Sequence, residues 1–547
     1  MSATRICLRC RRPFPAGPVK SPYKCTDCGF TSYPSATAAP APAVNPVPTR
    51  PASRKWLLVS AALALIALAA VGAVAALGKR AHVPEPAAPA VVAAAPVVPA
   101  PIITPAIAPV VAPAPDVPES MALGWKFGYD EGGRINRLEN PAGQVTTLRY
   151  ELDATKVLRK IVREMPDGST VTQEFDRDGR RVAMTDSFGK VVSAYDGLGR
   201  LTDVKREGAP PIHYGYDSQD RVSLFQVGNE YVLKYGYDFL GRLEAIDTPA
   251  GRITYDYSAK DRTTTRTLPN GVRTTRTHAP SGRLEKIEHT AAGGTLLARF
   301  AYEYRPDGLI REVRESSAEG ETRVTYEYDT VQRLVSVADT RGSRTSYRYD
   351  LLGNREEVRE NDRPAVGSTF DWVGRLVRHG GERCAHDASG NVTRYAGTHG
   401  PTTLTHSAEG QLLSATTDKA AVKCRYDGEG NLVERSVNGT TTSFVADPLA
   451  EIWQPLLATD ARGTQTAYVW DGNAPLAEKV NGEWKFFLHN HQDSVRCVVD
   501  ARGQVVERPE YCPFGRPLRD AGNDLRPGFA GLFYDPQTAL YLTRARA

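Results

Sequence analysis

The sequence predicts an almost entirely β protein, one hairpin repeated down most of the chain and laid into a curling sheet. Three observations carry that prediction. An aromatic–Asp pair, two variable residues, Gly-Arg or a near relative and then Leu recurs from Trp125 onward, as in "YDGLGRL" (195–201), "YDFLGRL" (237–243), "YDTVQRL" (328–334) and "FDWVGRL" (370–376). The motif keeps a fixed period: Asp176, Asp196, Asp217 and Asp238 are spaced by 20, 21 and 21 residues, and Asp329, Asp350 and Asp371 by 21 and 21. Ahead of the Asp, residues alternate as on a strand with one buried face, as in Leu233, Tyr235 and Tyr237 or Val324, Tyr326 and Tyr328. A period of this length denotes an array of one supersecondary unit rather than several unrelated domains.

Each part of the unit has a physical role. The Asp accepts backbone N–H groups in the turn, the Gly supplies the positive φ that a short hairpin loop needs, and the Arg-Leu pair starts the return strand. Residues 125–485 are therefore expected to be a shell-like β array. The motif is degenerate over 260–309 and 399–468, which predicts an irregular sheet there.

The N-terminal part is built differently. Cys7, Cys10, Cys25 and Cys28 form C-x2-C, fourteen residues, C-x2-C. Two such turns close a tetrahedron of thiolates around Zn²⁺, and four cysteines leave no open position for catalysis, so residues 1–33 read as a structural zinc-ribbon-like module. After a Pro/Ala-rich linker (34–55), residues 56–77 are free of charge for 22 positions, enough to cross a hydrocarbon core of about 30 Å. Nine Lys or Arg precede the span, which places the N-terminus in the cytoplasm and the repeats outside. A cleaved signal peptide is the rival reading, but 55 preceding residues are too long an n-region, which favours an uncleaved single-pass membrane anchor. Residues 78–118 come next as a spacer, with eleven prolines between His82 and Pro118.

Charge and cysteine usage exclude other classes. The formal charge is +5, but residues 1–55 alone carry +8, nine bases against Asp27, which leaves −3 on the remaining 492 residues. No broad basic face argues for nucleic acid. Cys384, Cys424, Cys497 and Cys512 are too isolated to staple a fold, so burial must hold it together. Cys424 replaces a repeat Tyr and is expected to pack as a small apolar residue. His489, His491 and Asp493 alternate and could share one strand face as divalent-metal ligands; a structural turn is the reading preferred for them. The periodic Tyr-Asp pairs read as scaffold, since catalysis requires one special pair, and the chain is expected not to be an enzyme.

Tandem Tyr-Asp hairpins with Gly-Arg-Leu resemble the YD repeats of the RHS family, found also in teneurins and in Tc-toxin shell components. Two C-terminal blocks strengthen the resemblance. "FFLHNHQDSVRCVVDARGQVVERPEYCPFGRP" (486–517) is similar to the RHS core segment, and "GFAGLFYDPQTALYLTRARA" (528–547) to the Tyr-Asp-Pro signature beyond it. Three positions depart from the family pattern: Asp493 and Ala539 stand where Gly is usual, and Cys512 where Asp is usual. The resemblance implies a cocoon-like shell, with residues 486–547 as its core segment, that presents or encloses a C-terminal cargo polypeptide, commonly a toxin, in competition between bacterial cells. Asp535-Pro536 belongs to the signature itself, so self-cleavage by a carboxylate pair is not assigned. The array stops at the boundary between shared shell and variable tip, which predicts a container without its contents or a fragment. The competing expectation is a cell-surface adhesion protein that binds carbohydrate or another surface partner through the outside of the array.

Overall fold

The computed structural model describes residues 124–397, 400–519, 522 and 524–543, together with a short antiparallel pair, Tyr23–Lys24 with Thr31–Ser32. That pair belongs to a unit of its own, and the β walls belong to a second, larger unit. Cys7, Cys10, Cys25 and Cys28, the uncharged span 56–77 and both Pro/Ala-rich segments lie outside the described residues. Among the described residues no helix is long and apolar enough to cross a membrane.

Strand succeeds strand in sequence order, each antiparallel to the one before it. A long wall of 25 strands runs from Lys126–Tyr129 to Glu382–Arg383 and curls round as a barrel does. One residue later a second wall of 13 strands begins at Ala385–His386 and ends at Val505–Glu507. A three-stranded piece, Arg526–Pro527, Phe533–Asp535 and Leu540–Leu542, completes the described chain. The fold is all-β, as the period and alternation require.

One turn shows why the motif has its composition. Asp217 Oδ1 accepts the backbone N–H groups of Gln219 and Arg221 at 2.9 and 3.0 Å, and its Oδ2 accepts Arg221 Nε at 2.7 Å. The Arg221 guanidinium then lies 4.1 Å from the centre of the Tyr237 ring, the Tyr of the next repeat. The Tyr237 hydroxyl donates back to the carbonyl of Val222, the residue after the Arg, at 2.8 Å. Desolvation pushes the Asp217 carboxyl up, but the Arg221 hydrogen bonds outweigh it and hold the group below its usual range. The same relay joins Arg200 to Tyr216 and Leu201, Arg242 to Tyr257 and Leu243, and Arg333 to Tyr349 and Leu334. Asn354, Asn391 and Asn431 replace the Arg in three turns and donate Nδ2 to the turn Asp instead.

The degenerate stretches keep their ladders, contrary to the expected irregularity. Thr263–Thr267 pairs with Arg273–His278 residue for residue, and the ladders continue through Gly400–His406 to Gln465–Asp471. Threonine-rich strands are sufficient β-formers, and the turn between them is closed by Gly271 at φ +78° with the Leu268–Val272 backbone bonds.

The walls share one apolar core. It joins Tyr214, Phe225, Leu233, Ile246 and Ile253 of the long wall to Leu412, Val422, Leu432, Trp453 and Leu488 of the short wall. Cys424 packs within it at 4% exposure, and burial pushes its thiol up to about 12. Polar rungs cross the same seam. Arg163 reaches Glu409 and the Gly428 carbonyl, both at 2.8 Å. Arg206 bridges Asp186 and Asp427 at 3.0 and 3.1 Å. The hydroxyls of Tyr214 and Tyr255 donate to Asp447 and Asp471 at 2.7 Å each.

The relay makes a specific demand on the guanidinium. Lysine keeps the charge but loses both the Nε hydrogen bond and the flat face on the ring. Arg221→Lys is expected to lower stability by about 1–2 kcal/mol in urea unfolding, whereas Arg177→Lys, outside any relay, should change it by less than about 0.5 kcal/mol.

Candidate functional site: the C-terminal signature in its socket

The Tyr-Asp-Pro signature is seated inside the seam. Phe533 is 1% exposed, and its ring lies 5.4, 5.2 and 6.0 Å from those of Trp453, Tyr468 and Trp470 on the short wall, with Phe444 stacked edge-on behind Trp453 at 5.2 Å. Two residues on, Asp535 is 1% exposed and forms a bidentate ion pair with Arg435, Nε to Oδ2 at 3.0 Å and Nη2 to Oδ1 at 2.5 Å. The Gln537 N–H also donates to Oδ1 at 3.0 Å, closing the turn that begins at Pro536. Tyr395 holds the next turn residue, its hydroxyl donating to the Thr538 carbonyl at 2.9 Å.

This geometry fixes what Asp535 can do. Both carboxylate oxygens are engaged, which anchors the signature to Arg435 and to its own turn. Taking two charges out of water is costly, and their mutual attraction repays it only in such a two-point arrangement. The partner of Arg435 lies outside its own hairpin: its ladder neighbours are Cys424 and Thr442, neither of them acidic. A basic residue at an inward strand position with no partner in its own hairpin is the clue that was available.

The departures from the family pattern leave visible marks. Asp493 and Ala539 occupy the left-handed region at φ +56° and +57°, conformations that glycine adopts without penalty. Cys512 heads a turn that closes by backbone bonds alone, Cys512 N–H to Arg516 at 2.9 Å and Gly515 N–H to Cys512 at 2.9 Å.

The three residues considered as metal ligands diverge. His489 ends the strand Glu483–His489 and is buried in the seam. His491 lies in the adjoining turn against the Tyr302 ring at 4.8 Å, and Asp493 pairs with Arg276 at 3.3 Å. Among the described residues no group of three His, Cys, Asp or Glu is placed to hold a metal ion. His489 instead pairs with the opposite wall: its carbonyl accepts His289 Nε2 at 3.0 Å, while His289 Nδ1 meets Thr274 Oγ1 at 2.9 Å. A carbonyl can only accept, so His289 carries a proton at Nε2, and burial keeps the ring neutral.

A cleft of about 360 Å³ opens beside this region, between the long wall and the segment 490–529. Its walls include Tyr302, Tyr326, His491 and the ion pair of Glu315 with Arg496, at 2.7 Å.

The seam makes two measurable demands. Arg435→Met or Asp535→Leu alone, each leaving one buried charge, is expected to cost about 3–5 kcal/mol, while the double substitution should recover most of that loss in the same denaturant titration. The second demand concerns pH. Burial holds the His289 imidazole down at about 3 and lowers His489 in the same direction, and desolvation of the more open His491 holds it at about 4. A depressed histidine contributes stability that is complete above its unfolded value near 6.5 and is lost as pH falls toward the folded value. Asp427 and Glu478, raised by burial, work in the opposite sense, their contribution growing as pH falls toward about 4. His289 and His489 each lose up to about 2 kcal/mol of their contribution between pH 7 and 5, and the solvent-exposed His491 somewhat less, so stability should fall by on the order of 3–6 kcal/mol over that range. His289→Gln should retain about two-thirds of that dependence, read as urea midpoints at both pH values.

Comparison with known proteins places this architecture. Double-stranded DNA deaminase toxin A of Burkholderia cenocepacia is 27% identical over 501 residues, covering 73% of this chain and 32% of that protein. Toxin protein Tse5 of Pseudomonas aeruginosa is 29% identical over 267 residues, covering 44% of this chain and 20% of that protein. The crystal structure of TcdB2-TccC3-TEV shares the fold, with a TM-score of 0.63 at 16% identity over 76% of this chain and 25% of that one. The chain thus spans about a third or less of the length of these proteins. A model of the Teneurin YD-shell family matches residues 165–290 and 285–546, the repeat walls together with the socketed signature. With most of its length matched in this way, the chain belongs to the Teneurin YD-shell family.

Proposed function

We propose that the chain is the shell part of a protein that shelters and presents a C-terminal polypeptide effector in competition between cells. The observation that carries this reading is the seating of the signature: Phe533 and the Asp535–Arg435 pair fix the C-terminal segment on the short wall. A strand locked at both an aromatic and a charged point is a fixed exit for whatever polypeptide is joined to it. Relatives named as toxins, Tse5 and the DNA deaminase toxin A, support the same role.

The N-terminal expectations complete the proposal. A single membrane span at 56–77 would tether the shell on the outer side of a bacterial membrane, with the spacer 78–118 holding it away. Cys25 and Cys28 lie between the paired strands Tyr23–Lys24 and Thr31–Ser32. That hairpin fits a two-thiolate knuckle, and with Cys7 and Cys10 it would hold a structural Zn²⁺.

Protection of an appended polypeptide tests the central claim. A 50-residue unstructured peptide carrying one protease site is joined after Ala547, and the same peptide is joined before Met1 as the reference. Cleavage at the C-terminal site is expected to be at least tenfold slower, and Asp535→Leu alone, which leaves Arg435 buried and unpaired, should abolish that difference. Equal rates at the two ends would overturn sheltering and favour a role carried by the outer surface. Metal analysis should give one zinc per chain, lost on Cys25→Ser.

A further inference from the structure

Turn tips on one edge of the long wall carry an unusual load of apolar side chains. The two variable residues of the motif form the tip of each Asp turn, and solvated residues serve there without difficulty, as Arg177-Asp178 and Ser218-Gln219 do. Five turns do otherwise: Leu198 in the turn at 196–199 and Phe239-Leu240 in the turn at 238–241 stand apart from each other, separated by the polar tip at 217–220, while the other three are consecutive. Val331, then Leu351 and Leu352, then Trp372 and Val373 stand in the tips at 329–332, 350–353 and 371–374. Leu351 is fully exposed, Leu352 is 75% exposed and Trp372 66%.

These tips are neighbours in space. Arg333 Nη1 donates to the Asp350 carbonyl at 2.9 Å, tying the first turn to the second. A Cβ on Gly374 would lie 3.5 Å from Asn354 Oδ1, which places the third turn against the second. Adjacent hairpins are two strand spacings apart, about 10 Å, so the three tips form a ridge about 20 Å long. The turn carboxylates face away from it: Asp329 and Asp371 are held by Arg333 and Arg375 at 2.6 Å, and Asp350 by Asn354 and two backbone N–H groups.

We propose that this ridge, Val331, Leu351, Leu352, Trp372 and Val373, is a membrane-docking edge that inserts into the interfacial layer of a lipid bilayer. Two features favour lipid over protein. A ridge about 20 Å long and one turn wide offers a few hundred Å², well short of the ~800 Å² per partner that a stable protein interface buries. The side chains also project as separate points rather than lining a concavity, which suits a deformable medium. Trp together with Leu on a protruding tip is the composition that settles at the headgroup boundary.

The test must separate the ridge from the uncharged span 56–77, which would bind lipid by itself. The full chain is therefore reconstituted into phosphatidylcholine vesicles containing a phosphatidylcholine with a photoactivatable diazirine in its acyl chain, and adducts are mapped by mass spectrometry. Adducts are expected on peptides covering 350–353 and 371–374 and not on the polar tip at 217–220. Leu351→Ser/Leu352→Ser/Trp372→Ser should reduce adducts on those peptides at least tenfold, with adducts at 56–77 and the melting temperature unchanged. Adducts confined to 56–77 in the unsubstituted chain would overturn the proposal whatever the variant does. Cross-links between the tips of two chains without lipid adducts would overturn it in favour of self-association.

Discussion

The contact on which the order of the long wall depends is the guanidinium shared between a turn Asp and the Tyr of the next hairpin. Within a hairpin, Asp217 organises its turn by accepting backbone N–H groups, which any Asx turn can do. Only the Arg carries the order forward, because its Nε is fixed to the carboxylate while its flat face rests on Tyr237, whose hydroxyl returns to the backbone beside the same Arg. Three weak interactions thus close a ring across two repeats. Each ring involves nearest neighbours alone, so the wall extends by addition, as in other arrays whose stability is a sum of unit and interface terms.

A wall built in this way does not by itself choose what lies against it. The seam supplies that choice. Its rungs join residues roughly 180–265 positions apart in the chain, from Arg163 with Gly428 to Glu315 with Arg496. The pairs Tyr214–Asp447 and Tyr255–Asp471 set the relative placement of strands that the relay leaves undetermined. Hydrophobic burial supplies most of the attraction, while the polar rungs penalise misplacement, because an unpaired buried carboxylate or imidazole is expensive.

The sequence made the walls legible and left the seam dark, for a physical reason. The period of Asp176 to Asp238, the alternation ahead of each Asp and the turn glycines are local signals, and local signals determine hairpins. The role of the Arg was less visible, since its ring partner lies in the next repeat. The degenerate stretch 260–309 misled because the motif marks the relay rather than the ladder, and threonine-rich strands pair without it. His489, His491 and Asp493 looked like one face of a strand, but the strand ends at His489 and the turn sends the other two elsewhere. Arg435 and its partner are 100 residues apart, beyond the reach of any spacing rule.

The socket around Phe533 also has a consequence in time. Trp453, Tyr468 and Trp470 leave the ribosome ahead of Phe533 by about 60 to 80 residues, which at roughly 5–20 residues per second is a lag of some seconds. The short wall is completed within that interval, at Glu507, and from then until Phe533 arrives both walls are synthesised while their aromatic socket stands open. Anything translated after the signature therefore meets a wall that is already made, and the latch shuts only once the final strand arrives. Order of synthesis thus ensures that both walls precede the signature that seats on them.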